Sequence, residues 1–156
     1  MEADDGLKQE VLRLVPQQEP FRFIDEIISL DDEQIIGAYR FREDEYFYRG
    51  HFPGNPITPG VILIETMAQV GVVAFGIYLL SRQKNIRPGR MKLPISLFSV
   101  ADGVEFKKIV VPGERVIIKA KKIYFRKNTI KANVSMENEK GEIICLGELS
   151  GVGVDQ

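Results

Sequence analysis

The stretch from Arg49 to Gln69 reads RGHFPGNPITPGVILIETMAQ, and the rest of the chain is organised around it. Its first half is a loop. Prolines at every third position, Pro53, Pro56 and Pro59, fix φ and remove N–H donors, which excludes a helix interior and a central strand. The second half opens the apolar run VILIETMAQVGVVAFGIYLL, whose length and composition predict a buried helix over residues 59–82.

Three polar side chains in this stretch are candidates for chemistry. His51, the only histidine of the chain, lies near the start of the loop, and Glu65 and Gln69 are the strongly polar residues of the apolar run. Because helical positions four apart share a face, Glu65 and Gln69 point the same way. A histidine and a carboxyl group in such a constrained segment form a candidate general base and general acid. A structural histidine and a buried interhelical glutamate are the alternative interpretation.

Residues 51–69 closely resemble the active-site segment of the hot-dog-fold 3-hydroxyacyl-[acyl-carrier-protein] dehydratases. That segment reads H-F-P-G-x-P-x-x-P-G-V-x-x-x-E-x-x-A-Q, and HFPGNPITPGVILIETMAQ matches every fixed position. Weaker resemblance extends over residues 15–150: VPQQEPFRFIDEI is similar to the family's L-P-H-x-x-P-F-L-x-V-D, and FKKIVVPGE to its F-R-R-P-V-V-P-G-D. Gln17 replaces the usual histidine, and Arg22 replaces an apolar residue. If this opening lines the acyl channel, Arg22 places a polar group there.

The resemblance implies a role for each residue of the motif. His51 is the base, Glu65 is the acid, and the backbone N–H of Gly60, with Val61 beside it, binds the thioester oxygen. Gln69 would orient the carboxyl group or a bound water. Glutamate at position 65 favours the plain dehydratase branch over the dehydratase/isomerase branch, which usually has aspartate there.

The implied reaction converts (3R)-3-hydroxyacyl thioesters on acyl carrier protein into trans-2-enoyl thioesters, in fatty acid or related acyl-chain synthesis, without a cofactor. The family also implies a homodimer in which His51 of one chain faces Glu65 of the other, with a trimer of such dimers as a larger assembly. Two other functions stay open. A hot-dog thioesterase uses a helix carboxylate but does not need the histidine, and a binding module without catalysis needs neither residue.

The remaining sequence predicts strands on both sides of the helix. One helix among six strands indicates an α+β protein of the hot-dog type, an antiparallel sheet wrapped around one long helix. We expect a single domain over residues 1–156, with a helical extension over residues 1–15. The loop at 83–96 is longer than in simple members of the family. The predicted strands cover residues 21–30, 34–41, 97–108, 115–125, 130–137 and 142–154.

Composition narrows the class of protein further. Hydrophobic residues make up 44% of the chain and charged residues 28%, as in soluble globular proteins. A single cysteine, Cys145, excludes an intrachain disulfide and fits a reducing cytoplasm. The acidic start MEADDG lacks the pattern of a signal peptide. The apolar run is long enough for a membrane span, but Glu65 and Gln69 inside it favour a core helix instead.

Charge and residue counts also bear on ligands and partners. One histidine and one cysteine give no metal-ligand spacing, and no phosphate-binding loop is present. A net charge of −1 disfavours nucleic-acid binding. Residues 82–108 nevertheless carry a local net charge of +5. A solvated face is one explanation, and a docking surface for an acidic carrier protein is the other. Its basic residues are Arg82, Lys84, Arg87, Arg90, Lys92, Lys107 and Lys108.

Overall fold

The computed structural model describes residues 1–155 and shows a six-stranded antiparallel sheet curled around a long helix. The spatial order of the strands is β1-β2-β4-β5-β6-β3, so that β1 and β3 form the two edges. This arrangement is the hot-dog fold that the sequence predicts. The elements are α1 (Asp5–Leu14), β1 (Glu26–Leu30), β2 (Gln34–Arg40), α2 (Gly60–Lys84), β3 (Ile95–Phe106), β4 (Arg115–Arg126), β5 (Thr129–Asn138) and β6 (Ile143–Val154).

The central helix α2 changes its winding in the middle. It is α-helical over Gly60–Ala68, π-helical over Gln69–Ala74 and α-helical again over Phe75–Lys84. The sheet packs tightly against the π-helical turn: a Cβ added to Gly71 would lie 2.9 Å from a methyl group of Val134. Any larger residue at Gly71 would therefore push the helix away from β5.

The length and apolar character of α2 would suffice to cross a membrane. However, 72% of the most apolar 18-residue stretch of α2 is buried inside the protein. A core helix of this kind satisfies the same length and composition criteria as a membrane span.

The first strand is shorter than the sequence predicts. Strand β1 begins at Glu26, whereas the sequence predicts a strand from residue 21. The reason is a side chain from α2: the amide of Gln69 bonds the carbonyl of Phe21 and the N–H of Phe23, so neither group joins a strand ladder. The sequence predicts the helix over residues 59–82. In the structure Pro59 is the N-cap, the helix begins at Gly60, and it ends at Lys84.

Arg22 directs its charge at the end of α1. Its guanidinium group donates hydrogen bonds to the carbonyls of Leu12, at 2.6 Å, and Val15, at 3.1 Å. These carbonyls belong to the end of α1, where backbone acceptors lack helical partners. Arg22 therefore caps α1.

Candidate active site

The loop that carries His51 is held by its own backbone. The N–H of Ile57 donates to the carbonyl of His51 at 2.9 Å, and Phe52 and Asn55 exchange hydrogen bonds at 3.1 and 2.9 Å. Gly54, between them, has a φ of +72°, which glycine adopts without strain. The loop therefore closes on itself within seven residues, as its prolines and glycines predict.

The same loop fixes the imidazole of His51. Its Nδ1 lies 2.8 Å from the carbonyl oxygen of Ile57. Because a carbonyl oxygen only accepts hydrogen bonds, Nδ1 carries the proton and Nε2 keeps the basic lone pair. The ring also stacks on Phe52 with centroids 4.0 Å apart. Nε2 has no hydrogen-bond partner within residues 1–155, and a half-buried imidazole of this kind has the form required of a general base.

Glu65 is positioned by Gln69, one helical turn further along α2. Gln69 is completely buried, and its Nε2 donates to Oε2 of Glu65 at 2.9 Å. The orientation of this amide is fixed by two backbone groups: its Oε1 accepts from Phe23 N–H at 2.7 Å, and its Nε2 also donates to Phe21 C=O at 2.9 Å. Gln69 can therefore only offer a donor to Glu65.

The surroundings of Glu65 shift the pKa of its carboxyl group. Burial raises the pKa of Glu65, and the hydrogen bond from Gln69 lowers it by less, so the net direction is upward. Since Oε2 accepts from Gln69, a proton on this carboxyl group would lie on Oε1, which has no hydrogen-bond partner within residues 1–155. A carboxyl group with a raised pKa and one free oxygen has the form of a general acid.

The N-terminus of α2 supplies backbone donors. The N–H groups of Ile62 and Leu63 bond the carbonyl of Pro59, at 2.9 and 3.1 Å, but those of Gly60 and Val61 have no acceptor in the described chain. Free N–H groups at the positive end of a helix are suited to bind a developing oxyanion. The ring of Phe106 covers Gly60 so closely that an added Cβ would lie 3.0 Å from it.

The predicted site residues divide into two groups within one chain. Glu65 and Gln69 are in direct contact, and Gly60 and Val61 begin the same helix. His51, however, makes no hydrogen bond or ion pair with Glu65 anywhere in residues 1–155, and its polar partner is the carbonyl of Ile57.

The seven predicted docking cations also divide into two groups. Lys107 and Lys108 follow Phe106, beside the start of α2, whereas the other five lie at or beyond its C-terminal end. Surface carboxylates pair with Lys107, Lys108, Arg82 and Arg87 at 2.6–3.3 Å. No ion pair in the described residues involves Lys84, Arg90 or Lys92.

Some of the groups that build the site carry no signal in the sequence. The carbonyl of Ile57, the backbone of Phe21 and Phe23, and the ring of Phe106 all act through position rather than residue type. The hydroxyls of Tyr48 and Thr58, 2.6 Å apart and buried, tie the entrance of the loop to its end. The PxxP spacing indicates that the loop is rigid, but it does not show which atoms face each other.

The fold is that of a hot-dog protein, and Glu65, Gln69 and the first N–H groups of its central helix lie together near the N-terminal end of that helix. A family model described as the FabA-like domain matches residues 15–147, and the chain belongs to this family. The chain is 36% identical over 140 residues to the 3-hydroxyacyl-[acyl-carrier-protein] dehydratase FabZ of Caldicellulosiruptor saccharolyticus. The match covers 89% of this chain and 92% of that relative.

Solved structures share the fold at lower sequence identity. The dehydratase heterocomplex ApeI:P from Xenorhabdus doucetiae is 14% identical with a TM-score of 0.77, and the match covers 94% of this chain and 92% of that one. A hypothetical thioesterase with coenzyme A from Streptococcus pneumoniae is 12% identical with a TM-score of 0.58, over 84% and 86% of the two chains. The fold is thus common to both reaction classes, and the residues of the site must distinguish them.

Proposed function

We propose that the protein is a 3-hydroxyacyl-[acyl-carrier-protein] dehydratase that converts (3R)-3-hydroxyacyl thioesters into trans-2-enoyl thioesters in the cytoplasm. Two groups with complementary properties support this proposal. The imidazole of His51 is held through Nδ1, which leaves the basic Nε2 available, and the carboxyl group of Glu65 has a raised pKa and keeps Oε1 available. Elimination of water needs one base and one acid, and the FabZ relatives have this activity in their names.

The reaction follows from these groups. Nε2 of His51 removes the proton from C2, and the N–H groups of Gly60 and Val61 stabilise the charge that develops on the thioester oxygen. Oε1 of Glu65 gives its proton to the C3 hydroxyl as the C3–O bond breaks, so that water leaves and the C2–C3 double bond forms. One proton is taken up and one is released, no electrons are exchanged, and the chemistry requires no redox cofactor.

A thioesterase is the second candidate, because its fold is shared. That reaction uses a carboxylate to activate water against the carbonyl carbon, which favours an ionised group. Burial shifts the pKa of Glu65 upward, away from the direction that such a reaction needs, and that reaction has no use for the imidazole of His51, whose Nδ1 the loop holds on a carbonyl. The dehydratase is therefore the better match to this site.

We further propose that the active enzyme is a homodimer with composite sites, in which His51 of one chain faces Glu65 of the other. The two residues form no hydrogen bond or ion pair with each other within residues 1–155, and the edge strand β3 has the properties of a pairing surface. Its outer edge has no partner strand within residues 1–155, although it is 12 residues long. It also exposes apolar side chains, among them Leu97, Phe98 and Val100, at 41–50% of their surface. Such an edge is a template for another strand.

The opposite edge of the sheet provides a contrast. Strand β1 has only five residues, and α1 packs beside it, with the N–H of Ala3 bonded to the carbonyl of Leu30 at 2.7 Å. A long, apolar and uncovered β3 is therefore the edge available to a second copy, and an isologous contact between two β3 strands would extend the sheet across a two-fold axis. A trimer of such dimers would use other surfaces.

One assay tests the reaction class. Purified protein is incubated with 3-hydroxyacyl and enoyl thioesters of acyl carrier protein while enoyl absorbance and free thiol are followed together. We expect enoyl absorbance to change without release of thiol. Thiol release would identify a thioesterase, and no change with either substrate would indicate a binding module.

Mixing two inactive variants tests the composite sites. His51→Ala and Glu65→Gln homodimers are exchanged into heterodimers, which contain one intact site if each site takes one residue from each chain. We expect recovered activity to follow the fraction of heterodimer measured by mass spectrometry. Verified exchange without recovered activity would contradict shared sites.

A further inference from the structure

A buried pair of hydroxyl groups joins the two ends of the loop that carries His51. Tyr48 belongs to a short 3₁₀-helix, Tyr46–Arg49, that precedes the loop, and Thr58 lies at the end of the loop. Only 5% of Tyr48 and 3% of Thr58 is exposed, and their hydroxyl oxygens lie 2.6 Å apart. Two apolar side chains of the same shape would fill this space at nearly equal stability. The hydroxyl pair therefore needs an explanation other than stability.

Thr58 shares a peptide unit with the carbonyl that orients the imidazole. The carbonyl oxygen of Ile57 lies 2.8 Å from Nδ1 of His51. The N–H of Thr58, in the same planar peptide unit, donates to the carbonyl of Val110 at 2.9 Å. Because the unit turns as a whole, any rotation that takes the Ile57 carbonyl away from the imidazole also moves the backbone of Thr58. The side chain of Thr58, bonded to Tyr48, opposes that rotation.

The same 3₁₀-helix holds both the imidazole and its carbonyl partner. The N–H of His51 donates to the carbonyl of Phe47 at 3.1 Å, so the backbone of the base is bonded to this helix directly. The Ile57 carbonyl is connected to the helix indirectly, through Thr58 and the phenol of Tyr48. The ring of Tyr48 packs edge-on against Phe47, with centroids 4.8 Å apart. The hydroxyl pair therefore closes a ring of contacts that places the carbonyl opposite Nδ1 of His51.

The hydroxyl pair carries no charge near neutral pH. Burial raises the pKa of Tyr48 to about 12, and the hydrogen bond with Thr58 lowers it by less. The phenol therefore keeps its proton, and the contact with Thr58 is a bond between two neutral groups. Removal of either hydroxyl leaves the net charge around His51 unchanged, so its effect on the imidazole must come through geometry.

We infer that Tyr48 and Thr58 are positioning residues for the general base. Their hydroxyl bond holds the Ile57 carbonyl on Nδ1 of His51, and so keeps the basic lone pair on Nε2. The effect on the rate rests on the proposed dehydratase function, whereas the effect on the imidazole is measurable without it. The competing explanation is a contact that stabilises the loop and leaves the imidazole unaffected.

The first measurement observes the imidazole directly. His51 is the only histidine of the chain, so protein labelled with ¹⁵N-histidine and free of a histidine tag gives NMR signals from this ring alone. Tyr48→Phe and Thr58→Val each remove one hydroxyl and keep the shape of the side chain. When the ring is neutral, we expect the proton on Nδ1 in the wild type and a mixture of the two tautomers in either variant.

Tyr78→Phe is the matched control. Tyr78, in the C-terminal part of α2, is also a buried tyrosine, and its hydroxyl donates to the carboxylate of Asp32 at 3.2 Å. A hydrogen bond to a charged group contributes at least as much stability as one between neutral hydroxyls. We therefore expect Tyr78→Phe to lower the unfolding temperature at least as much as Tyr48→Phe, with the tautomer and kcat of the wild type.

The second measurement is steady-state kinetics with a 3-hydroxyacyl thioester. A misplaced base slows the chemical step, so we expect kcat to fall about tenfold in Tyr48→Phe and in Thr58→Val while KM changes less than about twofold. Because the two hydroxyls act through one bond, the double variant should lose no more than either single variant. Thr58→Ser keeps a hydroxyl at this position, and we expect it to retain the wild-type tautomer and most of the rate.

The variants separate positioning from stability. Folded Tyr48→Phe and Thr58→Val proteins with the wild-type tautomer and kcat would overturn the inference, and so would equal changes in Tyr78→Phe. If Tyr48→Phe does not fold, the comparison of serine with valine at position 58 decides the question, since only valine should alter the tautomer. Wild-type protein that has the expected tautomer but dehydrates no 3-hydroxyacyl thioester would instead overturn the proposed function, while the NMR comparison would still decide the positioning role.

Discussion

The two candidate catalytic residues are held in opposite ways. His51 is oriented by a carbonyl six residues away, within a loop that closes on its own backbone. Glu65 is oriented by Gln69, whose amide is itself fixed by backbone groups 46 and 48 residues away. The base therefore depends on local sequence, whereas the acid depends on the tertiary fold.

This difference has an energetic consequence. The hydrogen bonds of the His51 loop connect backbone groups, so replacing the imidazole leaves them intact. Gln69, in contrast, is completely buried and provides the acceptor for a buried N–H group. Changes on the acid side should therefore couple activity to stability, and changes on the base side should separate the two.

The largest expected effect comes from His51→Ala. Loss of a general base slows the chemical step by about 10²–10⁴-fold. Because the loop is held by its backbone, we expect the thermal unfolding temperature to stay near that of the wild type. Steady-state kinetics and calorimetry on the same preparation check both parts. A folded variant with near wild-type turnover would remove the base assignment, and a large loss of stability would show that the imidazole holds the loop.

The same contrast explains what the sequence could reveal. Local sequence patterns predicted the central helix, the strand over residues 130–137 and the loop, and the structure confirms all three. In that strand every second side chain is buried, namely Ile130, Ala132, Val134 and Met136. The early start predicted for the first strand was wrong because Gln69 takes the hydrogen-bonding groups of Phe21 and Phe23. A side chain that arrives from so far along the chain leaves no local pattern.

The candidate site shows the same limit. The sequence indicated that Glu65 and Gln69 share a helix face, and the structure confirms their contact at 2.9 Å. The sequence could not predict the apolar cavity that Leu14, Gly76 and Leu93 line, because its walls come from segments that meet only in the folded chain. The position of Arg22, at the end of α1, likewise depends on where that helix packs.

A smaller effect should follow from Gln69→Leu. Phe23 N–H would lose its acceptor in a buried position, which costs about 1–3 kcal/mol in the free energy of unfolding. The variant also removes the hydrogen bond that lowers the pKa of Glu65, so that pKa rises further. If Glu65 acts in its protonated form, the alkaline limb of the kcat/KM profile moves to higher pH.

Thr66→Val is the matched control for Gln69→Leu. Thr66 is also buried in α2, but its hydroxyl donates to the carbonyl of Ile62, within the same helix. We expect a cost of about 0.5–1.5 kcal/mol and no shift of the alkaline limb. An alkaline limb that stays fixed in Gln69→Leu, or moves equally in Thr66→Val, would contradict the positioning role of Gln69.

The smallest expected effect is on KM for the carrier-bound substrate, and it is tested by reversing charges at each of the two ends of α2. We propose that Lys107 and Lys108, beside the helix N-terminus, contribute to docking of the acidic carrier. Reversal of charges at the rim of an interface mainly slows association, so Lys107→Glu with Lys108→Glu should raise KM for the carrier-bound substrate several-fold, and less at high salt. The surface ion pairs that these lysines lose contribute only ~0–1 kcal/mol each, so the fold should persist.

Arg90→Glu with Lys92→Glu provides the matched reversal at the other end of the helix, where neither residue forms an ion pair within the part of the chain described. A pantetheine thioester with the same acyl group serves as the substrate that needs no docking, and its kcat/KM should be equal in all three proteins. A larger effect of the Arg90 and Lys92 reversal would move the docking surface to the C-terminal end of α2. Equal losses with the carrier-bound and pantetheine substrates would mean that the substitutions damage the site itself, because a docking defect cannot slow a substrate that has no carrier.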